Sequence, residues 1–152
     1  MRMAETVRLG KTSGVSVRTF SHDDESALLG ILRDSFGSFA DVPRTKAALS
    51  SRRFDSDGCF VAEENGVQIG WLAVTSLPRD KRFVIRYLSI KRARLQTTVA
   101  ESLLARAIAY VESKGSEFLR ATTPAVQPYV DAYQKFGFKP LRRGFSNQLA
   151  NR

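Results

Sequence analysis

The chain carries one cysteine, one histidine and one tryptophan in 152 residues. A single cysteine excludes an internal disulfide framework and a cluster of thiolate ligands, and it fits a reducing compartment. Cys-x-x-Cys spacing is missing, and the single histidine and single cysteine cannot supply a multi-His or multi-Cys ligand set, so no metal site is expected. No apolar run is long enough to span a bilayer, and the opening MRMAETVRLGKTSG lacks the apolar stretch of a signal peptide. The expected location is therefore the cytoplasm, away from any membrane. Internal repeats and low-complexity tracts are also missing. Acidic residues are scarce relative to basic ones: 15 Asp and Glu against 24 Lys and Arg, a formal net charge of +9.

What is present describes a globular chain. Its 43% hydrophobic and 26% charged residues can bury a core without staples. Residues 1–14 are polar and contain glycine, which predicts a flexible tail, and residues 15–152 are expected to form a single domain. The basic excess attracts polyanions such as nucleic acid, nucleotide phosphates or an acidic protein. It is densest at Arg79, Lys81, Arg82, Arg86, Lys91, Arg92 and Arg94. A solvated face explains such a run as readily as an anion site does.

Val15 to Phe20 alternates as a short strand. Ser21 opens a helix with Asp24 as its capping-box partner and Leu28, Leu29, Ile31 and Leu32 on the apolar face, failing near Gly37. Pro43 suits the first turn of a short helix to about Leu49. Cys59 to Ala73 reads as a hairpin around Glu64-Asn65-Gly66, because Asn-Gly tolerates the positive φ of a tight turn. A Pro78-Arg79-Asp80 turn leads to a strand over Phe83–Ile90. Val99, Leu103, Leu104, Ala107, Ile108 and Val111 fall at helical spacing before Gly115. A strand over Phe118–Thr122, a helix from about Gln127 to Phe136, and one or two edge strands after Gly137 complete the order. Antiparallel strands followed by a βαβ crossover predict an α/β (mixed α+β) fold, with a mostly antiparallel sheet and helices on both faces.

Three segments carry a resemblance to one family. VSVRTFSHDDESALLGIL matches an opening strand and helix, CFVAEENGVQIGWLA a central hairpin, and YVDAYQKFGF a late helix ending in Tyr-x-Lys-x-Gly-Phe. Together these resemble the GNAT N-acetyltransferase superfamily over nearly all of the chain after residue 14. The resemblance implies acetyl-CoA as co-substrate. Backbone groups of Leu88, Ser89 and Ile90 would pair with its pantetheine arm, and Gln96, Thr97, Thr98, Val99 and Ala100 would turn amides toward its pyrophosphate at a helix N-terminus. Leu95, Gln96 and Thr98 depart from the family's glycine-containing turn, whereas Ala100 fits it. Thr98 and Glu101 form a Thr-x-x-Glu capping box by spacing. Lys91, Arg92 and Arg94 offer compensating charge, and Gln127 stands beside Val126, where the family commonly has a cofactor-contacting Asn.

Acetyl transfer to an amine needs a deprotonated amine, a stabilised oxyanion and a proton for the leaving thiolate. The resemblance gives the last task to Tyr133, which by spacing alone reads as a core aromatic. Where some family members place a carboxylate base, this chain has Arg86, so the expected base is a water relay or a group that the sequence does not identify. Glu63 and Glu64 read as solvated turn residues, His22 as a surface residue, and Cys59 and Trp71 as core. The expected function is N-acetyl transfer from acetyl-CoA to an amine on a small molecule or a protein. The alternative is a GNAT-fold binding module without catalysis that engages nucleic acid or an acidic protein through the basic cluster at 79–94. C-terminal edge strands would permit a homodimer.

Overall fold

A computed structural model describes residues 14–77, 82–116, 118–121, 127–141 and 144–148. The expected tail, apart from Gly14, lies outside these residues, as do the Pro78-Arg79-Asp80 turn, Lys81, Thr122 and Val126. The elements are β1 (Val15–Thr19), α1 (Glu25–Phe36), α2 (Val42–Leu49), β2 (Cys59–Glu64), β3 (Val67–Ser76), β4 (Phe83–Ile90), α3 (Thr97–Ser113), β5 (Phe118–Ala121), α4 (Gln127–Lys135), β6 (Lys139–Leu141) and β7 (Gly144–Gln148).

All seven strands join one sheet in the order β1-β2-β3-β4-β5-β7-β6. Every pairing is antiparallel except β4 with β5, the partners of the α3 crossover. The expected mixed sheet is therefore observed, with one correction at its end. Of the one or two edge strands expected after Gly137, β6 alone is the edge on that side, because β7 inserts between β5 and β6. A hairpin whose second strand pairs with β5 satisfies the backbone of β7 on both sides.

Local chemistry sets the boundaries. Asn65 and Gly66 adopt φ of 53° and 79°, closing β2 onto β3 through a two-residue loop. Gly37 ends α1 at φ 56°. Asp41 caps α2, its carboxylate accepting the Arg44 N–H at 3.1 Å. Ahead of α1, the Asp24 carboxylate accepts the Ser21 N–H at 2.8 Å, as the capping box predicts. The same carboxylate takes Arg18 at 2.7 Å and Gln68 at 2.9 Å, tying the start of α1 to β1 and β3.

The sheet divides the core in two. On one face α1 and α2 cover Cys59, Val61, Trp71 and Ala73 with Leu28, Ile31, Leu32 and Leu49. On the other, α3 and α4 cover Leu72, Ile85, Leu88 and Ile90 with Leu103, Leu104, Ala107, Tyr129 and Tyr133. Strand alternation sends neighbouring β4 side chains to opposite faces and thus to different helices. Trp71 and Cys59 are fully buried, as expected, and burial pushes the Cys59 thiol well above its ordinary range.

Candidate active site

The site lies along the second half of β4. Among the described residues, β4 and β5 pair at Phe83↔Leu119, Val84↔Arg120 and Ile85↔Ala121. One residue later the β3–β4 register slips, because Ala73 faces Tyr87 while Val74 faces Ile85. Arg86 is the extra residue of this bulge, and a bulge bends and twists the strand that carries it. The remainder of β4 stays paired with β3 to Ile90, with no further pairing to β5 among the described residues.

Hydrogen-bond parity decides which way its backbone points. The Lys91 N–H donates to the Ile69 carbonyl at 2.8 Å, which makes Gly70↔Ile90 and Leu72↔Leu88 non-hydrogen-bonded pairs. Leu88 and Ile90 therefore direct their N–H and C=O groups away from β3, the orientation that the pairing expected from the sequence requires. Ser89 points its backbone the other way, to β3, and its buried hydroxyl has no partner among the described residues.

Ile90 is already engaged. Its N–H donates to the Tyr129 hydroxyl at 2.9 Å, and its carbonyl accepts the Ser35 hydroxyl at 2.6 Å. Tyr129 comes from α4 and Ser35 from α1, so helices on opposite faces meet across the end of β4. Burial raises the Tyr129 pKa, only partly offset by the Ile90 N–H and Ser35. The phenol therefore stays protonated beyond the ordinary tyrosine range. Sequence reasoning passed over both residues. The signal was the Tyr129/Tyr133 spacing of four, which sets two tyrosines on one helix face.

The turn after β4 leads to the N-terminus of α3. Gln96 is the N-cap and makes no side-chain cap bond, while its carbonyl accepts Val99 and Ala100 at 3.2 and 3.3 Å. The Thr98–Glu101 capping box expected from the sequence does not form, because α3 begins at Thr97 and Thr98 is already its second residue. The N–H groups of Thr97 and Thr98 consequently have no intrahelical acceptor and sit at the positive end of a 17-residue helix. Glu101, in the following turn, pairs with Lys135 of α4 at 2.8 Å.

Described members of the basic cluster have partners of their own. Arg94 pairs with Glu64, and the Arg92 N–H donates to Asp34 at 2.7 Å. Arg82 lies 5.6 Å from the Phe118 ring. Arg86 borders a groove beside β4. Neither hairpin glutamate is a freely solvated turn residue, since Glu63 holds Arg18 at 2.8 Å and Glu64 holds Arg94.

Among the remaining expected residues, Tyr133 is fully buried against Phe138, ring centroids 5.2 Å apart, in the cluster that also contains Leu88, Ile90, Val99 and Ala100. Gln127 opens α4 and bonds Asp131 on its own helix at 2.6 Å. The structure thus brings β4, the first turn of α3, Tyr129 and Tyr133 together, while Arg94 and Gln127 are held by other partners. His22 is exposed and meets the edge of Phe20 at 5.6 Å.

On the α1–α2 side of β4 lies a cavity of about 780 Å³. Phe36 and Phe39 border it from α1 and the turn after it, Arg44 from α2, Leu77 from the end of β3, and Arg86, Tyr87 and Leu88 from β4. Its floor therefore reaches Leu88, whose backbone faces away from β3.

The family model for the acetyltransferase (GNAT) family matches residues 26–138, well over half of the chain. The chain belongs to the GNAT acetyltransferase family. Solved structures share this GNAT fold at low identity. One is the ribosomal-protein-S18-alanine N-acetyltransferase from Escherichia coli, with TM-score 0.68 and 15% identity over 88% of this chain and 90% of that one. Another is a GNAT family acetyltransferase from Brucella melitensis in complex with acetyl-CoA, with TM-score 0.66 and 16% identity over 88% and 87% of the two chains. A candidate acetyltransferase from Pyrococcus horikoshii is similar at TM-score 0.70 and 19% identity over 84% of this chain, which spans 44% of that protein's length. Comparison of the sequence with curated proteins finds no match. No helix among the described residues is long and apolar enough to cross a membrane.

Proposed function

We propose that this GNAT chain moves an acetyl group from acetyl-CoA to an amine by direct attack. The observation that carries this reading is the orientation of Leu88 and Ile90, whose backbone groups face away from β3, toward a gap that this reading assigns to the space beside β5. Leu88 supplies an N–H and a C=O to an extended amide-bearing arm, as an added strand would. The Thr97 and Thr98 amides supply donors to a phosphate without help from glycine. Lys91 and Arg94 add positive charge nearby, Arg94 after exchanging Glu64 for phosphate.

In the chemical step the N–C bond to the acetyl carbon forms as the C–S bond breaks. The amine nitrogen loses one proton to water, and the leaving sulfur gains one from a tyrosine. Tyr133 is assigned as that acid, in keeping with its place in the Tyr-x-Lys-x-Gly-Phe pattern. The Arg86 position carries no carboxylate, so water removes the amine proton. Residues 15–152 act as one cytoplasmic domain in this reading.

A second reading, a binding module without catalysis, draws on one observation: the Ile90 N–H is already taken by Tyr129. An acetyl-CoA thiol-release assay over a panel of amines separates the two. Amine-dependent release supports transfer. Silence across the panel, with salt-sensitive polynucleotide binding, supports the module.

A further inference from the structure

We propose that the groove between α2 and β4 selects an acceptor amine that bears a carboxylate and an apolar side chain, as a free apolar α-amino acid does. This inference rests on the acetyl-transfer reading above. It begins with charge. The described lining contains two guanidinium groups, Arg44 and Arg86, and one carboxylate, Asp41. Two positive charges less one negative leave the groove at +1, matched to a single anionic group rather than to a dianion. Asp41 is committed as the cap of α2, its side chain receiving the Arg44 N–H. The guanidinium groups of Arg44 and Arg86 make no ion pair among the described residues. A guanidinium offers a planar fork that fits a carboxylate through two parallel hydrogen bonds.

The apolar half of the ligand follows from the rim. Four large hydrophobic residues are exposed among the described residues: Phe39, Val67, Leu77 and Phe118. Two of them, Phe39 at 91% exposure and Leu77 at 37%, border this groove. Exposed apolar residues gathered at one concave site mark a surface that is covered when occupied. Phe36 and Tyr87 continue the apolar wall down to Leu88, so a ligand anchored by Arg86 extends its amine toward the gap.

Trp71 provides a readout that needs no turnover. It is the single tryptophan, and its ring stacks on Tyr87 at 5.0 Å, directly behind the groove wall. The test is a Trp71 fluorescence titration with the product-like N-acetyl-L-phenylalanine and with its carboxamide, N-acetyl-L-phenylalaninamide. It is carried out on the native chain and on Arg44→Gln and Arg86→Gln. A charge-assisted pair predicts that the acid binds at least about tenfold tighter than the amide, and that each substitution removes most of that advantage. In turnover, L-phenylalanine should exceed L-phenylalaninamide in kcat/KM by a similar factor. Equal binding of acid and amide, an unaltered preference in both variants, or no binding of the acid overturns the inference. Acetyl-CoA titrated into the same proteins reports on the underlying reading separately. Normal acetyl-CoA binding with no acid preference sinks the groove assignment alone. Loss of acetyl-CoA binding with the acid still seated sinks the transfer reaction.

Discussion

The hydroxyl of Tyr129 accepts the backbone N–H of Ile90 at 2.9 Å, on the side of β4 that faces away from β3. A side chain from α4 thereby occupies a main-chain donor that faces the proposed acetyl-CoA channel. The Ser35 hydroxyl occupies the carbonyl of the same residue at 2.6 Å. If acetyl-CoA binds as proposed, ligand and fold compete for this hydrogen-bonding group.

That competition has a measurable sign. Tyr129→Phe removes the hydroxyl, frees the Ile90 N–H and leaves the ring packed beside Phe36. The variant should lose about 1 kcal/mol of stability in chemical denaturation. In calorimetry it should bind acetyl-CoA several-fold more tightly. Weaker binding would instead show that the hydroxyl itself touches the ligand.

Tyr133 and Tyr129 are distinguishable by kinetics. If Tyr133 donates the proton to the leaving thiolate, Tyr133→Phe should lower kcat by roughly a hundredfold or more while acetyl-CoA affinity changes little. Full activity in this variant would remove Tyr133 from the mechanism. Its buried ring against Phe138 would then have a packing role only.

Gly70 lies opposite Ile90 and sets how closely β3 approaches β4. A Cβ there would stand 3.0 Å from the Ile90 Cγ1 and 3.2 Å from the Ser89 carbonyl oxygen. Gly70→Ala should therefore cost about 1–3 kcal/mol of stability, the usual range for overpacking. It should also weaken acetyl-CoA binding, because Ile90 must move. Urea denaturation paired with calorimetry checks both, and an unchanged midpoint would refute the close approach.

The N-terminal network makes an acid-sensitive contribution. Hydrogen bonds from Arg18 hold the Asp24 carboxyl down at about 2, against an ordinary value of 3.8. A depressed carboxyl stabilises the fold above its unfolded pKa, and that contribution is lost as pH falls through the folded one. The share from Asp24 is about 2 kcal/mol at neutral pH. It should decline between about pH 4 and pH 2. Thermal melts of the native chain and Asp24→Asn should differ at pH 7 and converge near pH 2. A constant difference would assign the loss to packing or capping rather than ionisation.

Much of this fold was legible because its signals are local. Asn65-Gly66 must turn, Gly37, Gly115 and Gly137 end helices at positive φ, and the stripe from Val99 to Val111 can face only a core. The insertion of β7 between β5 and β6 was not legible, since two short strands carry no record of which one pairs with β5. The start of α3 was misread for a related reason: Thr98 and Glu101 have capping-box spacing, yet Gln96 is the cap. Within the site, the motif residues of β4 and α4 could be placed from sequence. The Tyr129–Ile90–Ser35 contact could not, because it joins residues 39 and 55 positions apart through main-chain atoms. The groove likewise depends on α2 lying beside β4, a tertiary fact that places Arg44 and Arg86 on one lining.

The most direct test of the central claim is calorimetric titration of the full chain with acetyl-CoA at moderate salt. The account predicts saturable one-to-one binding in the micromolar range, because Leu88 and the Thr97 and Thr98 amides supply the donors that glycine-rich turns supply elsewhere. An absence of binding at millimolar acetyl-CoA would contradict it, and would mean that Tyr129 closes the channel rather than guards it.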